Sequence, residues 1–599
     1  MEKQQRIVIV DSVKGLSILA VMLYHFWAIL PYGYLGVDIF FVISGYFMAR
    51  GLMRQFENNT FKYFNYVIKK AVRLLPLILI VLLISLIVGF FVMLPDDYEN
   101  LSESVVASSV FANNVLQCIT TKNYWNIVNT YKPLMHLWYV GVLMQAYVFI
   151  PLIYLIFVKT INNTRKGMAI GTVILTAVSL ALYLIPSFSA AEKFYYLPFR
   201  MFEITVGCGV YIIGNVFPPS PRKILRSWFG NNVILLIIMA VMLVMLFTQL
   251  CIISPKAMLL ITVALAAAFM YFQTEFTPKR LPILTRLQNV LAEIGKCSYS
   301  IYIWHQFIIA FIFYFVFEKP NAISFVLFIV ITFILTFLSR RFVEMPIEKR
   351  IIDSKQCHIL FGGSCLCSVL ICVISLTVYM RAGVIRDVPE LNIYTNNVHR
   401  NMHAEYCDIP YSWDKDFSQE GKFHVLVVGN SFGRDWANIL HEWDQDEKLE
   451  ISYCADINNK GTRVSASDYV FYASGPGYGD IPRQVIDEVP NEKLYIIGNK
   501  SYGISNGIIY AKRNRADYYS QTVDVERELS DHNNELKSRF GTHYIDLLEP
   551  IMQSDGEINV FTDDRKYISQ DCKHLTKSGA QYYARIIPFS QFFSDDFHQ

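Results

Sequence analysis

Val13-Lys14-Gly15-Leu16-Ser17-Ile18-Leu19-Ala20-Val21-Met22-Leu23-Tyr24-His25-Phe26-Trp27-Ala28-Ile29-Leu30 is long enough to cross a bilayer as one helix. It is apolar apart from Lys14, His25 and small polar side chains. Ionisable groups at membrane depth are costly, so their presence points first to function. Eleven residues at 3.6 per turn return to nearly the same helix face, roughly 16 Å further along. One face of this span therefore carries a cation near one surface and an imidazole toward the other. That pairing suits chemistry on a polar reagent handled across a bilayer.

The rest of the chain repeats the pattern. Of 599 residues, 53% are hydrophobic and only 17% charged, and the apolar excess lies in long runs. Such runs mark about eleven spans, centred near Ala20, Phe41, Leu82, Leu143, Thr176, Val206, Ala240, Ala264, Tyr302, Val330 and Leu370. The first is full length and leads straight into another, unlike a cleavable leader. A formal charge of +3 gives no nucleic-acid footprint. Basic residues fall in alternate loops: Lys3 and Arg6; Arg50, Arg54, Lys69, Lys70 and Arg73; Lys159, Arg165 and Lys166; Arg222, Lys223 and Arg226; Lys279, Arg280 and Arg286; Arg340, Arg341, Lys349 and Arg350. The positive-inside rule puts the N-terminus in the cytoplasm, and an odd number of spans puts everything after about Met380 outside.

From about Arg381 the chain becomes soluble in character. Residues 381–421 read as a connector, and 422–599 as one α/β domain. Apolar runs Val425–Val428, Leu494–Ile497 and Tyr544–Leu548 read as strands; Arg434–His441 and Val523–Arg539 read as helices. Alternating strands and helices predict a mainly parallel, doubly wound sheet. Ser431 follows the first strand and precedes a helix, a corner that exposes a hydroxyl beside backbone N–H donors. Downstream, Asp571 lies three residues before His574, a spacing that lets a carboxylate orient an imidazole. Ser431 is then the nucleophile, His574 its base and Asp571 the orienting group. Asn499, after the second strand, is a candidate oxyanion donor. Singly, each of these is most often a turn; their order in one domain is what carries the reading.

Polar groups also interrupt the spans. His136 opens the fourth, Arg200 and Glu203 share a turn of the sixth, and Tyr299, Ser300 and His305 lie in the ninth. The plainer readings are a hydrogen-bonded interfacial histidine for His305 and an internal ion pair for Arg200 with Glu203. Lys69, Lys70 and Arg73 either set topology or bind the phosphates of a cytoplasmic donor. No metal-ligand pattern is seen.

These blocks resemble the membrane acyltransferase family 3. Lys14-x10-His25 matches its Arg/Lys-x10-His signature. Gly36-Val37-Asp38-Ile39-Phe40-Phe41-Val42-Ile43-Ser44-Gly45-Tyr46, Arg73-Leu74-Leu75-Pro76, Arg200-x-x-Glu203-x-x-x-Gly207, Ser298-Tyr299-Ser300-Ile301-Tyr302-Ile303-Trp304-His305 and Val343-Glu344-Met345-Pro346 follow in family order. The resemblance covers residues 1–350, leaving 351–380 as an eleventh span. One departure is Leu143, where relatives carry Glu in the fourth span. The C-terminal part resembles the SGNH hydrolase family, with Gly429-Asn430-Ser431 in place of Gly-Asp-Ser and Gly498-Asn499-Lys500 standing one position out of the Gly-x-Asn pattern.

The resemblance implies an enzyme of a bacterial inner membrane that takes acetyl groups from cytoplasmic acetyl-CoA, holds no bound cofactor, and acylates a surface polysaccharide. O-antigen of lipopolysaccharide is expected first, with peptidoglycan or another glycan as the alternative. It places Lys14, Lys69, Lys70 and Arg73 at the donor. His25 becomes general base or transient acyl acceptor, with His136 assisting. Two other classes compete: a transporter or flippase with a non-catalytic outer domain, and a membrane-tethered esterase. Cys118, Cys407, Cys454 and Cys572 are expected outside the cytoplasm, where a disulfide among them is allowed.

Overall fold

The computed structural model describes residues 8–27, 30–121, 131–216, 237–245, 254–272, 282–315, 321–418, 421–458, 460–473, 475 and 481–593. Two compact units emerge: Met1–Phe91 with Asn100–Thr377, and Val92–Glu99 with Val378–Gln599.

Among the described residues, the first unit is built from α1 (Val8–Trp27), α2 (Gly36–Glu57), α3 (Tyr63–Val92), α4 (Asn113–Thr121), α5 (Trp138–Ile161), α6 (Thr164–Leu184), α7 (Leu197–Val216), α8 (Pro255–Phe272), α9 (Pro282–Lys296), α10 (Ser298–Phe315), α11 (Ala322–Ser339) and α12 (Ser354–Met380). All except α4 and α9 lie in the ten segments long and apolar enough to cross a membrane. The chain is therefore a multi-pass membrane protein. The further span expected near Ala240 falls where only 237–245 are described, as helix. Lys3, Arg6, Arg222, Lys223, Arg226, Lys279 and Arg280 lie outside the described residues. On α11 and α12, Val330, Phe337, Leu366 and Val373 are exposed, the apolar surface a bilayer covers.

Glycines set the tightest helix contacts. A Cβ on Gly45 would lie 1.8 Å from the Ile204 carbonyl oxygen, and one on Gly207 would lie 2.0 Å from that of Val42. Any larger residue would force α2 and α7 apart, so close backbone approach accounts for both motif glycines. Gly15 and Gly295 do the same for α1 and α9, at 2.0 Å from Leu291 O and 1.8 Å from Asp11 O.

The second unit holds a five-stranded parallel sheet in the order β2-β1-β3-β4-β6. Its strands are β1 (Phe423–Gly429), β2 (Leu449–Cys454), β3 (Tyr469–Ala473), β4 (Leu494–Ile497) and β6 (Tyr544–Ile545). A small antiparallel pair, β5 (Thr522–Asp524) with β7 (Glu557–Asn559), stands apart. The unit's main helices are α13 (Ser431–Trp443), α14 (Arg527–Phe540) and α15 (Lys577–Ile586). β1 is an interior strand, buried on both faces: Val425 and Val427 join one core with Trp436, while Leu426 and Val428 join the other with Ile496. That explains its unbroken apolar run. The expected parallel sheet is present, in the flavodoxin-like order. Sequence reading did not include β2 and β3, and β5 occupies the start of the stretch read as a helix.

Residues 381–421 carry the helix Met402–Asp408, and Asn438 Nδ2 donates to Tyr406 O at 3.0 Å. Residues Val92–Glu99 belong to this unit too. Leu94 shares a core with Val384 and Val388, and Arg386 Nη2 donates to Met93 O at 2.6 Å.

Candidate active site

β1 ends at Gly429, whose φ of +148° and near-contact with Ala473 O exclude a side chain there. The chain then turns into α13, with Asn430 as its N-cap and Ser431 as its first residue. Ser431 thus stands beyond the carboxyl end of β1, between neighbours β2 and β3, where such sheets bind ligands. Asn430 Oδ1 accepts from Phe432 N at 3.0 Å, and its amide donates to Gly475 O. A carboxylate at 430 would supply the cap but not the donor.

The Asp571–His574 turn comes from the other end of the domain. Asp571 Oδ1 accepts from the amides of Lys573 at 3.0 Å and His574 at 2.7 Å, while Cys572, between Asp571 and Lys573, has φ +68°. Asp571 Oδ2 lies 2.7 Å from His574 Nδ1, and His574 Nε2 lies 2.7 Å from Ser431 Oγ. A carboxylate only accepts, so Nδ1 carries the proton and Nε2 presents its lone pair to the serine hydroxyl. Burial opposes charge on Asp571, but the side chain and charge of His574 and the two amides outweigh it and hold the carboxyl below its usual range. The three predicted groups form one hydrogen-bond chain.

Two residues not singled out in the sequence lock this chain in place. Asp435 lies one turn after Ser431 on α13; its Oδ2 is 2.6 Å from Lys500 Nζ, and its Oδ1 accepts from Leu575 N at 3.3 Å. Lys500 Nζ also donates to Lys573 O at 2.8 Å and lies 3.8 Å from the Phe432 ring centroid. Both side chains are essentially inaccessible, so the pair ties the serine helix to the histidine turn. The i+4 spacing of Asp435 from Ser431 was the signal available beforehand. Asn499 is held by its backbone, which exchanges two hydrogen bonds with the Asn533 side chain at 2.9 and 2.8 Å. Among the described residues no hydrogen bond joins Asn499 to Ser431 or His574. Cys118, Cys407, Cys454 and Cys572 are all unbridged. Burial pushes the Cys572 thiol well up, and it donates to Asn506 Oδ1 at 3.3 Å.

The membrane unit gathers a second set. His25 on α1 and His305 on α10 approach to 3.0 Å between Nδ1 and Nε2, with their rings stacked. His136 lies in the turn before α5; its ring is 5.3 Å from that of His305, and its Nε2 is 3.0 Å from Ile303 O. His136 Nδ1 is buried with no hydrogen-bond partner among the described residues. Elsewhere Arg200 joins two carboxylates, Asp38 at 2.5 Å and Glu203 at 3.2 Å. The expected Arg200–Glu203 ion pair is present, with Asp38 as a third member. Ser300 Oγ donates to Glu344, which Arg340 bridges to Glu348 at 2.8 and 2.9 Å.

The proposed donor residues fall on two helices. Lys14 pairs with Asp11 at 3.2 Å and lies 5.3 Å from the Phe47 ring centroid. Lys69, Lys70 and Arg73 lie on α3. Lys70 Nζ is 4.3 Å from the Tyr147 ring centroid, and Arg73, exposed over 61% of its side chain, reaches Glu348 only at 4.0 Å. Leu143 is buried on α5, and Gln145, two residues on, donates to Asn114 at 2.8 Å. Among the described residues no cluster of metal ligands occurs.

The acyltransferase-domain model of the acyltransferase-3 family matches residues 7–341. The chain belongs to the acyltransferase-3 family. Among its relatives, the peptidoglycan O-acetyltransferase OatA of Listeria monocytogenes is 27% identical over 359 residues, 57% of this chain and 55% of the relative. A putative O-acetyltransferase of Staphylococcus aureus strain COL is 25% identical over 353 residues, and O-acetyltransferase OatA of strain NCTC 8325 is 24% identical over 356, each match covering 57% of both chains. The chain thus spans little more than half the length of the curated relatives it matches. No solved structure matches it. Within this acyltransferase-3 chain, the family match contains His25, His136 and His305 and ends before the serine-histidine site.

Proposed function

We propose that this protein is an O-acyltransferase that moves acetyl groups from acetyl-CoA to hydroxyls of a bacterial cell-surface glycan. The observation that carries this reading is the Ser431–His574–Asp571 hydrogen-bond chain on a polypeptide whose membrane unit belongs to an acyltransferase family. The basic residues of alternate loops support a cytoplasmic N-terminus and a C-terminal unit outside the inner membrane, in the periplasm. Lys14, Lys69, Lys70 and Arg73 then face an anionic cytoplasmic donor. His25 serves the first transfer, and the acyl group is passed on to Ser431.

At Ser431 the chemistry follows from the geometry. Oγ attacks the acyl carbonyl while its proton moves to His574 Nε2. The donor oxygen or nitrogen leaves with that proton, and an acyl-serine remains. A glycan hydroxyl then attacks, giving its proton to His574 Nε2; the carbonyl–Oγ bond breaks, and Ser431 recovers the proton. Asp571 holds the histidine throughout.

O-antigen was the first acceptor expected, with peptidoglycan as the alternative. The Listeria relative, a peptidoglycan O-acetyltransferase, favours peptidoglycan as the first acceptor here. The test is mass spectrometry of muropeptides and lipopolysaccharide from deleted and complemented cells. Loss of O-acetyl groups from muropeptides alone is expected; loss from lipopolysaccharide alone reverses the order. Glycan acetylation at the normal level in both His25→Ala and Ser431→Ala cells would sink the two-site scheme.

A further inference from the structure

His25 and His305 constrain each other's protons. His305 Nδ1 lies 2.6 Å from the Tyr302 carbonyl oxygen, which only accepts, so that nitrogen carries hydrogen. In the neutral ring, His305 Nε2 is then a lone pair. It faces His25 Nδ1 at 3.0 Å, so His25 Nδ1 must be the donor and His25 Nε2 is bare. The reverse arrangement needs an imidazolium at His305, fully inaccessible in the middle of a span, which membrane burial disfavours. His25 itself is half-buried, and its Nε2 has no hydrogen-bond partner among the described residues. His136 gives its Nε2–H to Ile303 O, which leaves its Nδ1 as a lone pair, but the ring nitrogen at hydrogen-bond distance from His25 Nδ1 is His305 Nε2.

We propose that His305 is a positioning residue: its Nε2 lone pair fixes His25 as the Nδ1–H tautomer and so aims a bare Nε2 at the reacting groups. This rests on the reading that His25 serves acyl transfer. When an acceptor hydroxyl attacks the thioester carbonyl, its proton passes to His25 Nε2 as the C–O bond forms. The C–S bond breaks, and the leaving thiolate takes that proton, regenerating the bare nitrogen. During the step the His25 imidazolium keeps its Nδ1–H on His305. Tyr302, three residues before His305, fixes the tautomer of the fixing residue through its own carbonyl. The Tyr302 hydroxyl also donates to His136 O at 2.6 Å, so one turn of α10 organises all three rings.

The test measures thiol release from acetyl-CoA by the purified full chain in proteoliposomes. His305→Phe keeps a ring and removes the acceptor; His305→Gln supplies a side-chain oxygen that can accept from His25 Nδ1–H; His305→Leu is a second non-accepting variant should the Phe protein not fold. We expect kcat to fall about 100-fold in His305→Phe, with KM for acetyl-CoA changed less than about twofold, and at least a tenth of the wild-type rate in His305→Gln. In a His25→Ala background, His305→Phe should add nothing, because His305 acts through His25. Wild-type turnover in His305→Phe, equal loss in the Gln and Phe proteins, or a further loss beyond His25→Ala overturns the proposal alone. Wild-type turnover in His25→Ala overturns the reading of His25 itself, and the role of His305 with it.

Discussion

The two units each present an imidazole with one nitrogen pinned and the other bare, but they pin it differently. In the C-terminal unit His574 gives its Nδ1 proton to a carboxylate, Asp571. In the membrane unit His25 gives its Nδ1 proton to another imidazole, His305. Environment explains the difference. A quarter of the Asp571 side chain is exposed, and two backbone amides share its charge. His305 is fully buried within a span, where an unbalanced negative charge is costly. A neutral ring orients its neighbour without adding charge. Where the membrane unit does bury carboxylates a cation meets them: Arg200 lies between Asp38 and Glu203, and Lys14 pairs with Asp11.

The largest effect expected from breaking this contrast is at Asp571. In Asp571→Asn the amide can face His574 with either its oxygen or its N–H, so the tautomer is no longer held. Glycan transfer should fall by about 10⁴ in kcat while the fold persists. Adding Asp571→Asn to Ser431→Ala should cost nothing more, because the three groups act as a unit. Transfer at the wild-type rate by Asp571→Asn would erase the distinction between a charged and a neutral orienting partner.

Next comes the pair behind the serine. Lys500 and Asp435 are as buried as His305, yet they are charged, because each satisfies the other. Lys500→Met leaves Asp435 uncompensated and should destabilise the protein by about 3–5 kcal/mol, whereas Lys500→Met with Asp435→Leu should recover most of that. Thermal unfolding of the full chain measures both. If the double variant is no more stable than the single, pairing is not what makes this buried charge tolerable.

His305→Glu sharpens the comparison from the membrane side. A carboxylate could still accept from His25, but it would sit unbalanced in a span. A loss of about 3 kcal/mol is expected, seen as a lower unfolding midpoint in detergent. An unchanged midpoint would show that membrane depth is not why a neutral ring stands there.

The sequence alone revealed the parts of each site that are local. Span lengths, the Lys14–His25 face, the serine corner after an apolar strand and the Asp571–His574 turn all lie within one or two elements. What stayed hidden depends on distant packing. His305 reads as an interfacial histidine until α1 and α10 meet, and His25 is 280 residues away. Gly45 and Gly207 are visible as motif letters, but their reason is the backbone each one faces. Asp435 and Lys500 each look like ordinary surface charges; only the sheet brings them together. β2 is hidden because Glu450 and Ser452 interrupt its apolar pattern, whereas β3, Tyr469–Ala473, is as apolar as β4 and is legible in the residues themselves.

The most gradual effect concerns how the C-terminal unit supports its charged partner. Gln570, next to Asp571, donates to Asp96 Oδ2 at 2.7 Å, and Asp96 Oδ1 lies 2.6 Å from His403 Nδ1. Burial opposes charge on His403, but Asp96 outweighs it and raises the imidazole from its ordinary 6.5 to about 9. The sign follows from a folded value above the unfolded one. The stabilisation is complete below about pH 6.5 and is lost as the pH rises through about 9. The slope is at most about 1.4 kcal/mol per pH unit between those values. Unfolding midpoints of the full chain between pH 6 and 10 should therefore decline toward the alkaline end, and Asp96→Asn should flatten that decline. An identical pH slope in Asp96→Asn would assign the loss to other groups. It would also detach the Asp96–Gln570 contact from the charge that the membrane histidines do without.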